Sequence, residues 1–310
     1  MMLEAGLICS RFIHLTCAII LFGVAFFGLY SPLSGNRLER LARRLSAVFL
    51  AAALSALLSG LAWFLFAAGN MSGALAGAFD RDALWSVLWD TGFGRVWVAR
   101  VVPALLIVAM IWSSGVSIFD RRQIILLAFA AAVLLASLAG IGHAQVHEGA
   151  SAIVHVTADA VHLLTAGAWL GGLLPLGMVV VSCRTKQLLD EDAVSVLSRF
   201  SGMAYLAVAA LVASGSINGW LLIGSLSALI GTAYGELLLL KLGLLVLMLC
   251  LAAANRFWLV PALAKAPTAS ESDLVLARLR RHILAEQILG ILIVGIVSLL
   301  GTLSPAIQAP

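Results

Sequence analysis

Eight stretches of about twenty or more apolar residues recur along this chain, near residues 6–30, 45–69, 96–119, 123–142, 153–182, 200–224, 236–259 and 283–303. A bilayer core about 30 Å thick is crossed by about 20 apolar residues in a helix. It contains no water to satisfy open backbone groups, so a sequence of this kind must fold as membrane-spanning helices. Composition agrees, since 62% of the 310 residues are hydrophobic and only 11% are charged. The reading is an all-α, polytopic integral membrane protein with about eight transmembrane helices in one membrane domain, 1–310. The N-terminal MMLEAGLICSRF carries Glu4 where a signal peptide would carry lysines, so the first apolar run is expected to be kept as a helix.

The net charge of +4 is explained by topology. Of the 19 basic residues, 14 fall in the first, third, fifth and seventh connections, and only Arg11, Arg81, Arg95, Arg100 and Lys241 lie elsewhere. Basic loops stay in the cytoplasm. Both termini are therefore expected on the periplasmic side of a bacterial cytoplasmic membrane, and no nucleic-acid partner is implied. Four cysteines, Cys9, Cys17, Cys183 and Cys250, are too scattered for a disulfide framework or a zinc ribbon and are expected to be reduced and mostly buried. Residues 70–95, with Trp85 and Trp89 beside Asp80, Asp82 and Asp90, suit either a short amphipathic helix at the outer interface or a loop with aromatic anchors. Residues 260–282 read as a solvated cytoplasmic linker.

Four of the six histidines lie between Gly140 and Gly172. His143 and His147 fall on the connection between the fourth and fifth runs. His155, Asp159 and His162 recur at i, i+4 and i+7 and so project from one face of the fifth helix. Ionisable side chains within a membrane are costly and usually face a site or a partner. Imidazole suits copper, zinc, iron or nickel, and a nearby carboxylate serves as ligand or supports one. The competing reading is a hydrogen-bonded patch holding helices together, with Asp159 paired to Arg100 or Lys241. Gly167, Gly171 and Gly172 let the same helix approach a neighbour, and Pro175 suits a kink. Phosphate-binding loops, nucleophile elbows and HExxH motifs are missing from the sequence, so an enzyme is not expected.

A shift of 141 residues places Phe12-Ile13-His14-Leu15-Thr16 on Ile153-Val154-His155-Val156-Thr157, Thr91-Gly92-Phe93-Gly94 on Thr232-Ala233-Tyr234-Gly235, and Arg100 on Lys241. This suggests two parallel four-helix repeats, 1–142 and 143–310, with His14 equivalent to His155. His14, His143, His147, His155, Asp159 and His162 together form the candidate metal-binding set: an outer pair on the loop and an intramembrane group between the repeats.

The runs RFIHLTCA, TGFGRVWVAR, HVTADAVHLLTAGAWLGGLLPL and TAYGELLLLKLGLLVLMLCLAAANRFWLVPAL resemble the bacterial copper resistance D family, the CopD/PcoD inner-membrane proteins. The resemblance covers nearly the whole chain. It implies an eight-helix copper protein that moves or handles copper ions at the cytoplasmic membrane, alongside a small periplasmic copper carrier of the C type. Two departures stand out. Glu236 follows the glycine of Tyr234-Gly235 where an arginine is more usual, and no soluble carrier domain is fused to the chain. The rival functions are a membrane electron carrier in which two of these histidines ligate haem b, and an assembly protein that binds no metal.

Overall fold

The computed structural model describes residues 2–114, 120–141, 149–182, 191–265 and 268–308, and every regular element among them is helical. Among the described residues, eight helices are long and apolar enough to cross a membrane. In chain order they are α1 Met2–Tyr30, α2 Gly35–Met71, α3 Gly92–Ser113, α4 Arg121–Ile141, α5 Gly149–Ser182, α6 Val194–Ile223, α7 Ala233–Leu263 and α8 Ser270–Leu300. Eight crossings return the chain to the side on which it starts. In keeping with this, the Arg11 guanidinium of α1 lies against Gly301 at the end of α8. The outer surface is that of a protein solvated by lipid: Leu58, Trp112, Phe129 and Trp220 are all more than two thirds exposed.

Helix α2 runs for 37 residues. At 1.5 Å per residue it is about 55 Å long. It therefore outreaches a core of about 30 Å, and its first turns, with Arg37, Arg40, Arg43 and Arg44, can stand clear of the hydrocarbon. Helix α8 likewise starts well before its apolar part. Thr268 caps it, its Oγ1 accepting from Glu271 N at 3.3 Å. Residues 269–282, read from sequence as part of a solvated linker, are thus the first turns of a helix. Between α2 and α3 the chain forms the short helix Arg81–Asp90. Asp80 Oδ1 caps it by accepting from Ala83 N at 2.8 Å, while Trp85 and Trp89 are exposed. Of the two readings of this segment, the helix is the one found.

Helix α1 is the most buried of the eight and packs against α2, α4, α5 and α8, whereas α7 is the least buried. The bundle centres on the crossing of α1 and α5. A Cβ on Gly23 would collide with the backbone of Gly171 and the carbonyl of Gly167, and a Cβ on Gly171 would collide with Gly23 and the carbonyl of Ile19. Contacts on one side of this crossing have counterparts on the other: α1 with α2 and α5 with α6, α1 with α4 and α5 with α8, α3 with α4 and α7 with α8. One contact is unequal. α2 packs extensively against α3, while α6 and α7 pack little against each other and are linked by Arg256 Nη1 donating to Ser201 Oγ.

Both α5 and α7 are interrupted by a π turn, Gly167–Gly171 in α5 and Asn255–Leu259 in α7. Each precedes a proline inside the helix, Pro175 or Pro261. A proline frees the carbonyl four residues earlier. Those residues are Gly171 and Phe257, each within its π turn, so the local widening absorbs the missing hydrogen bond. The expected perturbation of α5 at Pro175 is therefore present as a π turn. The cysteines differ from expectation. Cys17 is buried but Cys9 and Cys250 are exposed, facing outward as apolar side chains do in lipid, and all three are free thiols. Cys183 lies outside the described residues.

Candidate functional site

The matching TGFG and TAYG words are one local device used twice. Thr91 Oγ1 accepts from Gly94 N at 2.9 Å and donates to Val87 O at 2.6 Å. Thr232 Oγ1 accepts from Gly235 N at 3.1 Å and donates to Ala228 O at 2.7 Å. Each threonine thus caps a spanning helix and ties it to the short helix before it, Arg81–Asp90 or Leu226–Gly231. Gly94 and Gly235 are required because a Cβ at either would strike the carbonyls of that short helix. Six residues further on come Arg100 and Lys241, set at the same level of α3 and α7.

In the first half, Arg100 meets His14. Arg100 Nη2 donates to His14 Nε2 at 2.5 Å, and His14 Nδ1 stands 2.9 Å from the Ala56 carbonyl. A guanidinium can only donate, so Nε2 is the acceptor and Nδ1 carries the proton given to Ala56 O. Ser59 Oγ lies 3.4 Å from the same Nδ1, and Gly60 leaves room for the ring. His14 and Arg100 are both buried, at 5% exposure. Trp63 stands edge-on to the imidazole at 5.7 Å, and Trp97 Nε1 donates to Gly60 O at 3.2 Å. Both nitrogens of His14 are therefore occupied by protein groups in a tightly closed corner of α1, α2 and α3.

In the second half the same corner is built around His162. Its Nδ1 lies 3.2 Å from Leu211 O and 3.3 Å from Ser214 Oγ, and Gly215 leaves room for the ring. Ala56, Ser59 and Gly60 of α2 thus correspond to Leu211, Ser214 and Gly215 of α6. His14 therefore matches His162 in surroundings, and the pairing with His155 drawn from short words is corrected by two helical turns. His14 to His162 is a step of 148 residues, and Gly23 to Gly171 is the same step. The α2 to α6 step is 155 and the α3 to α7 step is 141 because the connecting segments differ in length.

The two corners then diverge. Where the first half has Arg11, the second has Asp159, whose Oδ1 accepts from Asn218 Nδ2 at 3.3 Å. Lys241 of α7 acts electrostatically on both Asp159 and His162, and Tyr234 is within the field of Asp159. Asn218 Oδ1 is buried without a hydrogen-bond partner. Reversing that amide would set its oxygen against the carboxylate, so the assignment follows from the chemistry. With Nδ1 turned to a backbone carbonyl, His162 presents Nε2 as its lone pair. This is how a metal-ligating histidine is commonly oriented. His155 is sealed at 2% exposure two turns away, about 10.5 Å along the axis.

The structure does not gather the predicted residues into one centre. His14 is bonded to α2 and α3, and His162 to α6. Among the described residues no three His, Cys, Asp or Glu side chains converge to hold a metal ion. His143 and His147 lie outside the described residues. Sequence reading missed Asn218, and it also missed a second polar cluster. There His282 Nδ1 lies 2.9 Å from Asn255 Oδ1, and Asn255 Nδ2 donates to Glu286 Oε1 at 2.6 Å. The His282/Glu286 spacing of i, i+4 was the available signal.

Eight apolar spans around inward-facing imidazoles and carboxylates define a multi-pass membrane protein with an internal polar site. Residues 2–153 match the copper resistance protein D-like N-terminal domain, and residues 194–300 match copper resistance protein D. The chain is 35% identical to inner membrane protein YebZ of Escherichia coli K12 over 98% of its own length and 100% of that protein. It is 31% identical to copper resistance protein D of Pseudomonas syringae pathovar tomato over 97% of each chain. It is also 32% identical to copper transport protein CutJ of Bacillus subtilis, over 82% of this chain and 46% of that one. The chain belongs to the copper resistance protein D family and is a multi-pass protein of the inner membrane. No solved structure matches it.

Proposed function

We propose that this protein binds copper ions within the membrane and passes them on, without catalysing a chemical reaction, and that the working site is the α5, α6 and α7 corner. His162 Nε2, the Asp159 carboxylate and Asn218 Oδ1 are the ligands. His155 is a separate station nearer the Gly149 end, since two turns of helix are too far for His155 and His162 to share one ion. His143 and His147 form the first docking point on the periplasmic side, where both chain termini lie, and receive copper from a small periplasmic carrier of the C type. His14 stays outside the path because Arg100 occupies its Nε2. In this reading the halves 1–142 and 143–310 are repeats of which the first has become structural. Unlike the first corner, the second leaves one imidazole nitrogen and one amide oxygen uncommitted beside a carboxylate, and this observation carries the proposal.

The test is copper content and affinity of purified wild-type and His162→Ala protein in lipid, with the visible spectrum recorded on the same samples. Loss of copper in His162→Ala with the fold intact is the expected result. Unchanged copper content would overturn the assignment. A haem spectrum in the wild type would favour the haem b reading instead.

A further inference from the structure

The two π turns meet at one place. Trp169, at the centre of the α5 turn, and Asn255, at the start of the α7 turn, both line a cavity of about 50 Å³ with Glu286 of α8, and Ser201 and Arg256 complete its polar wall. Glu286 is 2% exposed. Asn255 Nδ2 donates to its Oε1 at 2.6 Å, and Asn255 is itself fixed by His282. The Trp169 indole is 1% exposed, and its Nε1 has no hydrogen-bond partner. A buried N–H with no acceptor is costly and calls for an unseen partner. π turns are frequent at functional sites.

The lining selects the occupant. Trp169, whose indole N–H is unpartnered, lines the space beside the carboxylate, and Asn255 Nδ2 donates to the carboxylate itself. Asn255 turns its amide nitrogen, not its oxygen, to Glu286. Such a wall is poor for a metal cation but suits water, which accepts from the indole and donates to the free carboxylate oxygen. The volume is enough for water. Arg256, which lines the same cavity, is exposed and its Nη1 donates to Ser201 Oγ at 2.6 Å, so one cavity is lined both by an exposed cation and by the sealed carboxylate.

We propose that Glu286 is a proton-exchange site, loaded and unloaded through water in the cavity shared by the two π turns. In uptake, the free carboxylate oxygen forms an O–H bond while a hydronium ion in the cavity loses one and remains as water. Release runs in reverse. Among the described residues, the charged and titratable groups facing Glu286 are few. Arg256 on α7 lines the same cavity, and His282 lies one turn earlier on α8. Helices α5 and α6 present Trp169, Ser201 and apolar side chains. Helix α1, also packed on α8, brings Arg11 to it only at Gly301, the far end. The site is distinct from the α5, α6 and α7 corner and gives a cation-handling protein a place to move a proton.

The experiment is pH-difference infrared spectroscopy of the full-length protein in lipid. A carboxylic-acid C=O band that rises and falls with pH and shifts in D₂O is expected. It should disappear in Glu286→Gln, which keeps an acceptor for Asn255, and persist in Asp159→Asn. Should the Gln variant fail to fold, Glu286→Asp retains an acid and should move the band to a different frequency. Trp169→Phe, which removes the water's donor, should shift its titration midpoint. A wild-type protein with no such band, or a band unchanged in both Glu286 variants, overturns the proposal. Copper binding plays no part in the readout, so its outcome is separable from that of the function proposed above.

Discussion

Gly23 and Gly171 meet backbone to backbone where α1 crosses α5, each occupying the space a Cβ on the other would need. Close glycine contact is how membrane helices gain packing in the absence of a hydrophobic drive between them. Gly23→Ala and Gly171→Ala should each destabilise the protein by about 1–3 kcal/mol through overpacking. The double variant should cost less than their sum because both changes act on one contact. Gly243→Ala, with nothing within 4 Å of the added methyl, should instead stabilise by up to about 1 kcal/mol through helix propensity. Thermal unfolding in detergent reads all four. Equal losses at Gly23 and Gly243 would show that the crossing has no special role.

His14 and His162 occupy like corners but should respond oppositely to removal. His14→Ala strips the buried Arg100 guanidinium of its acceptor, a loss of roughly 2 kcal/mol for a hydrogen bond to a charged group. Copper binding should survive. His162→Ala removes a less committed ring, so it should leave the unfolding temperature within a few degrees of wild type while lowering copper occupancy. A copper loss in His14→Ala equal to that in His162→Ala, at unchanged stability, would reinstate His14 as a ligand.

The paired caps offer a cleaner comparison. Thr91→Val and Thr232→Val keep side-chain shape but lose the hydroxyl that accepts from Gly94 N or Gly235 N, and each should cost about 1 kcal/mol. Exchange of the Gly94 and Gly235 amides with deuterium should accelerate at the substituted cap only. Uniform acceleration at both caps would mean that the threonines act through the global fold.

Much of this architecture is legible in hydropathy alone, because lipid punishes every alternative to a spanning helix. The inward stripe of His155, Asp159 and His162 follows from helical periodicity in the same way. The match of His14 to His162 does not. The words around His14 and His155 share the histidine, the threonine two residues on and apolar neighbours, but spatial equivalence is set by Gly23 and Gly171 at the crossing and by Ser59-Gly60 and Ser214-Gly215 facing the rings. The polar cluster at Glu286 was hidden because the basic, polar residues before it read as a linker. The Thr268-x-x-Glu271 pattern marked a helix start, and Pro175 and Pro261 marked where α5 and α7 had to widen.

Topology is tested by labelling single cysteines in an otherwise cysteine-free protein with a membrane-impermeant reagent. With both termini in the periplasm, cysteines at Glu148 and at Trp85 should label in intact cells, whereas one at Ala269 should label only after lysis. Labelling at 269 but not at 148 in intact cells would invert the protein and place the histidine-bearing connection in the cytoplasm.

In low dielectric a single charge beside a bound cation changes its affinity strongly, and the direction depends only on that charge. Asp159→Asn removes a negative charge next to His162 while keeping size and hydrogen bonding, so copper should bind more weakly by roughly an order of magnitude. Lys241→Met removes a positive charge that acts on the same two residues. It should bind copper more tightly by a comparable factor, although Lys241 is the nearest counterpart of the Arg100 that closes the first corner. The double variant should return close to wild-type affinity. A purely structural Asp159 and Lys241 pair gives a different pattern: both single variants lose stability, the double variant regains it, and copper affinity does not follow charge. Copper titrations and unfolding curves on the same three proteins distinguish the two, and weaker copper binding in folded Lys241→Met would remove the α5, α6 and α7 corner as the cation site.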